Sequence, residues 1–103
     1  MTKEEILAAM TSYQEVLDFM QIKEEDLSVT QLIFLKYIEW ERVDATAKYI
    51  RNTGKKMPNG NSVQPSHVSA TLDSSPKEVP NGVQNIAKSI FKKNRSLAYR
   101  ISS

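Results

Sequence analysis

Ile90-Phe91-Lys92-Lys93-Asn94-Arg95-Ser96-Leu97-Ala98-Tyr99-Arg100-Ile101 admits two readings, and the fold turns on which one holds. Joined to Val83, Ile86 and Ala87 upstream, the apolar residues Ile90, Leu97, Ala98 and Ile101 keep a helical period that breaks at Asn94. Alternatively, Leu97, Tyr99 and Ile101 alternate with Ala98 and Arg100 as a half-buried strand does. Lys93-Asn94-Arg95-Ser96 is then the turn of a hairpin whose first strand includes Ile90 and Phe91. Periodicity leaves both open over residues 83–103.

Working back toward the N-terminus, Asp73 to Gly82 is polar, carries Pro76, Pro80 and Asn81-Gly82, and reads as a connection. A helix starts at Pro65, whose fixed φ suits the first helical position, with Val68 and Leu72 on one face. Lys55 to Val63 is a loop by its Pro58 and Asn59-Gly60. Asp44 is placed to cap a short helix bearing Ala47 and Ile50 that ends around Asn52-Thr53-Gly54. Ser28-Val29-Thr30-Gln31 has the capping-box spacing and opens a helix whose stripe of Leu32, Phe34, Leu35 and Ile38 is wide enough to face a core, with Trp40 closing that face. Thr2-Lys3-Glu4-Glu5 repeats the capping signature. Behind it Ile6, Met10, Tyr13, Leu17 and Met20 recur at steps of four and three, the seam of a helix that packs on another helix. Two heptads are short for a free coiled coil, so the seam is either a dimerisation surface or a helix packed on its own domain.

Charge is divided along the chain. Met1 to Asp44 carries ten acids and four bases, net −6, and the remaining 59 residues carry ten bases and two acids, net +8, which together give the overall +2. Such a division suits an acidic half turned from a polyanion and a basic half turned toward it, or two solvated faces. At 103 residues there is room for one modest core. No apolar run is long enough to span a membrane and no signal-peptide layout is present, so a cytoplasmic protein is expected. The absence of cysteine rules out disulfides and thiolate chemistry.

Catalysis is poorly supported. One histidine and no cysteine exclude most nucleophile–base pairs and most zinc sites. Ser66 and His67, adjacent on a helix, point in different directions and make no dyad. Three glycines, none in a phosphate-cradling pattern, leave no nucleotide loop. The expectation is no enzyme, no cofactor and no metal.

Leu27-Ser28-Val29-Thr30-Gln31-Leu32-Ile33-Phe34-Leu35 resembles the opening of the winged-helix domain in MarR-type regulators. Pro65-Ser66-His67-Val68-Ser69 resembles the start of that family's recognition helix, and Asn94-Arg95-Ser96 with Leu97 to Ser102 resembles the tip and return strand of its wing. The sequence departs from the family pattern in its long Gly54–Gln64 turn, in Ala70 where a base is common, and in lacking C-terminal dimerisation helices. A plasmid- or phage-type regulator accommodates these departures, as does a different helical fold. The resemblance implies a mainly α chain with a small β-hairpin: a winged helix-turn-helix over residues 27–103 preceded by a dimerisation helix over 1–22.

The implied function is sequence-specific binding of double-stranded DNA by a homodimer, as a transcriptional regulator (repressor or activator) or a partition-site adaptor. On that resemblance Gln64, Ser66, His67, Ser69 and Thr71 of the recognition helix reach base edges or phosphates. Lys55 and Lys56 in the loop neutralise phosphates, and Lys92, Lys93 and Arg95 form the wing, Arg95 entering a minor groove. Ile6, Met10, Tyr13, Leu17 and Met20 then pair the two copies. The alternatives are a protein-interaction module or inhibitor docking through its acidic N-terminal helix, and RNA binding through the basic C-terminal segment if that segment is one long helix.

Overall fold

Leu32, Ile33, Phe34, Leu35 and Tyr37 are all buried, so the helix that carries them is apolar around most of its circumference and must be enclosed rather than laid on one face of a core. In the computed structural model this helix, α2 (Val29–Trp40), is central, with α1 (Lys3–Met20), α3 (Val43–Thr53), α4 (Pro65–Leu72) and α5 (Asn81–Ser102) packed around it. The structure describes the backbone of residues 1–102 and the side chains of residues 1–95. The core joins α2 to Val16 and Phe19 of α1, Ala47 and Ile50 of α3, Val68 and Leu72 of α4, and Val83, Ala87 and Phe91 of α5.

Local chemistry sets the helix ends. Thr2 accepts the Glu5 backbone N–H at 3.1 Å, and Ser28 with Gln31 forms a complete capping box at the start of α2. Helix α2 ends at Glu41, which takes the left-handed conformation (φ 56°). Helix α3 begins two residues earlier than the Asp44 cap implies: Arg42 is its N-cap, and Asp44 lies in the first turn, paired with the Arg42 guanidinium at 2.8 Å. Gly54 closes α3 at φ 85°, as its sequence position suggests. The loop that follows is pinned by Val63, fully buried, whose carbonyl accepts from Arg51 Nη1 at 2.9 Å.

The β-hairpin expectation is overturned. Among the described residues there is no strand, and residues 81–102 form one continuous helix. No glycine or proline follows Gly82, so nothing in the chain stops the helix or supplies the positive φ that a tight hairpin turn favours. Asn94, which interrupts the apolar period, faces inward instead of forming a turn. Its Nδ2 donates to the Tyr37 hydroxyl at 3.1 Å and to the Glu41 carbonyl at 3.0 Å. Phe91, one turn earlier, meets the Tyr37 ring edge to face at 5.8 Å. With no hairpin there is no wing, and the winged helix-turn-helix assignment falls with it.

Helix α1 packs on α5, with Ser12 and Glu15 against Gly82, and buries Val16 and Phe19 in the core, while the heptad seam stays exposed. Among the described residues no helix is long and apolar enough to cross a membrane.

Candidate functional site

The residues expected to act as a wing lie on α5, where helical spacing brings a different set together. Lys88, Lys92 and Arg95, four and three residues apart, share one face. With Phe91 and with Leu72 and Asp73 at the end of α4 they line an open cleft of ≈420 Å³. Three cations thus face one carboxylate. Arg95 is held in place: its guanidinium lies 5.0 Å from the Phe91 ring centre and bonds Asp73 at 3.1 Å. Lys88 is committed inward, donating to the carbonyl oxygens of Leu72 (3.1 Å) and Ser74, the orphan acceptors at the end of α4. Lys92 is exposed at the cleft, and Lys93 is exposed outside its lining.

A second cleft, ≈350 Å³, is lined by Glu15, Asp18, Phe19, Ile22, Glu78 and Pro80. It carries three carboxylates and no base. Of these two clefts one is cationic and the other anionic, the second drawing Glu78 from the basic half of the chain.

The remaining expected DNA contacts are dispersed. Lys55 bonds the Leu27 carbonyl at 2.8 Å and lines a cleft with Glu24 and Glu25, so it ties the α3–α4 loop to the 3-10 turn at Glu24–Asp26. Lys56 is exposed on the same loop. On α4, Gln64 and Ser66 are exposed, while His67, Ser69 and Thr71 are half-buried. His67 turns back on its own helix, its Nδ1 accepting the Gln64 backbone N–H at 3.0 Å. A neutral ring accepting at Nδ1 carries its hydrogen on Nε2. The start of α4 lies one helix length, about 12 Å, from the cationic cleft at its other end.

The seam residues Ile6, Met10, Tyr13, Leu17 and Met20 are all exposed, by 39 to 62%, and Leu7 beside them by 52%. They form an apolar face that no described residue of this chain covers.

Away from these surfaces, Lys36 is only 8% exposed and is paired with Glu24 and with Glu39 at 2.9 Å. Its ammonium lies 4.8 Å from the Tyr49 ring centre and 5.7 Å from that of Trp40. Burial opposes the charge on Lys36, but the two carboxylates overcome it and raise its pKa. Hydrogen bonds from Lys36 and the Tyr49 hydroxyl hold the Glu24 carboxyl below its ordinary range. A lysine paired in this way anchors the turn before α2.

Lys88, Phe91 and Asp73 were not singled out by the sequence reading. The signal for Lys88 is its i, i+4, i+7 spacing with Lys92 and Arg95, which has meaning only once residues 81–102 are known to be helical. No family model, no curated protein and no solved structure matches the chain.

Proposed function

We propose that this protein is a non-catalytic binder of double-stranded DNA that acts as a pair of identical copies, its contacts made chiefly to the phosphate backbone through the cationic face of α5. One observation carries the reading: Lys88, Lys92 and Arg95 gather in a single cleft against one carboxylate, while three acids occupy a separate cleft. Phosphate contacts need fixed or loosely held cations and no base-reading geometry. The His67 cap and the dispersal of Lys55 and Gln64 move the contact from the start of α4 to α5. A regulator or partition-site adaptor is the role that such a paired binder fills.

The test is fluorescence anisotropy of a mixed-sequence duplex at two salt concentrations, comparing wild type with Lys92→Ala. Affinity is expected to fall with salt, and the logarithmic salt slope of the variant to be shallower by about one. An absence of binding at low salt rejects the reading, and equal affinity for an RNA duplex transfers it to RNA. A second reading, docking of α1 onto a different protein, is favoured by the uncovered apolar face and is separated from self-pairing by oligomeric state in solution.

A further inference from the structure

Helix α1 has two apolar faces. Val16 and Phe19 are buried in this chain's own core, and Glu15 reaches α5 to accept the Gly82 backbone N–H. Ile6, Met10, Tyr13, Leu17 and Met20 face outward along a helix about 27 Å long. With Leu7 these side chains, each about half exposed, amount to about 600 Å² per copy, or about 1,200 Å² for a pair, the lower edge of a stable interface.

We infer that the occupant of this face is the same face of a second copy, with the two α1 helices antiparallel about a two-fold axis near Tyr13. The inference deepens the paired state in the DNA-binding reading, but its test reads pairing without DNA. Two observations support a second copy on this face, and the near-symmetry of the stripe admits the antiparallel orientation. First, α1 is an acidic helix, yet the positions bordering the stripe are uncharged: Leu7, Gln14 and Gln21 on one side, Ala9 and Val16 on the other. The carboxylates sit elsewhere, Glu15 on Gly82 and Asp18 held by Gln14 Nε2 at 2.9 Å, so two acidic helices can meet without like charges along the seam. A stripe without flanking charge also offers little to a partner selected by complementary charge.

Second, the stripe is nearly palindromic. Ile6 and Met20 stand seven residues either side of Tyr13, with Met10 and Leu17 between, so an antiparallel two-fold sets residues of similar size against one another, as an isologous contact requires.

The mass of the full chain is measured by light scattering or sedimentation from about 1 μM to about 300 μM. Wild type is expected to shift from monomer to dimer with concentration. Met10→Glu with Leu17→Glu, both at exposed positions, should remain monomeric, with the helicity and urea midpoint of wild type at concentrations where wild type is also monomeric. Because the chain has no cysteine, orientation is read by oxidation: Ile6→Cys mixed with Met20→Cys should give a mixed disulfide, and Met20→Cys alone should give little. A wild type that stays monomeric throughout, or a dimer that survives the double glutamate variant, overturns the pairing. Efficient cross-linking of Met20→Cys to itself overturns the antiparallel orientation. DNA binding by a persistent monomer would reject this inference and the paired state while leaving DNA binding through α5 intact.

Discussion

The Glu15 carboxylate of α1 accepts the backbone N–H of Gly82, so the first turn of α5 is capped by a side chain from another helix. The approach is close enough that a Cβ at residue 82 would lie 2.7 Å from Ser12 Cα, a backbone atom that cannot swing aside.

Gly82→Ala should therefore destabilise the protein by about 1–3 kcal/mol even though alanine is the better helix former. Glu15→Ala, which removes the cap but adds no clash, should cost about 1 kcal/mol. Urea unfolding of the two variants ranks them, and a stabilised Gly82→Ala would show that α1 is not seated on α5 as described.

Asn94→Ala leaves the buried Tyr37 hydroxyl and the Glu41 carbonyl without their shared donor, at a cost of about 1–2 kcal/mol. Asn94→Asp should be worse, because a carboxylate then faces the Glu41 carbonyl. Circular dichroism of either folded variant should still report the long helix. Thermal melts set the order.

Acid should loosen the turn before α2. Glu24 has a pKa depressed below its ordinary value near 4.5, so its contribution is fully present above that value and lost as pH falls through the depressed one. Lys36 and Tyr49 have raised pKa values, so theirs is present below the ordinary values of 10.5 and 10.0 and lost at higher pH. Glu24 is 38% exposed, and solvent screening keeps the effect modest. Glu24→Gln should flatten the decline in stability as pH falls below the ordinary value of 4.5, measured by denaturant midpoints at several pH values. A decline identical to wild type would place the acid sensitivity elsewhere.

Glu41 holds a left-handed conformation that costs a residue with a Cβ about 1–2 kcal/mol. Glu41→Gly should raise stability by about 0.5–1 kcal/mol, since the backbone carbonyl bonded by Asn94 is retained. A lowered melting temperature would contradict this.

Helix starts were legible where a side chain caps locally. Thr2, Ser28 and Pro65 each mark a helix that the structure contains, and Gly54 marks an end. Errors arose where a polar residue answers to something distant in sequence. Asn94 looked like a turn because its partners, Tyr37 and Glu41, are more than fifty residues away. Lys88 drew no notice because its acceptors are carbonyls of another helix, and Arg95 looked available because Asp73 is twenty-two residues upstream. The heptad seam of α1 was visible in its spacing. That α1 has a second apolar face for its own core was not, because Val16 and Phe19 read as gaps in the same pattern.

Lys88 of α5 closes the end of α4, and Glu15 of α1 closes the beginning of α5. Fraying at either end therefore has nowhere local to stop: releasing α1 opens the first turn of α5, and releasing α5 strips the last carbonyls of an eight-residue helix too short to persist alone. Amide hydrogens in α4 and α5 should exchange at one common rate set by joint opening, so the chain should yield no stable subfragment to limited proteolysis within that pair.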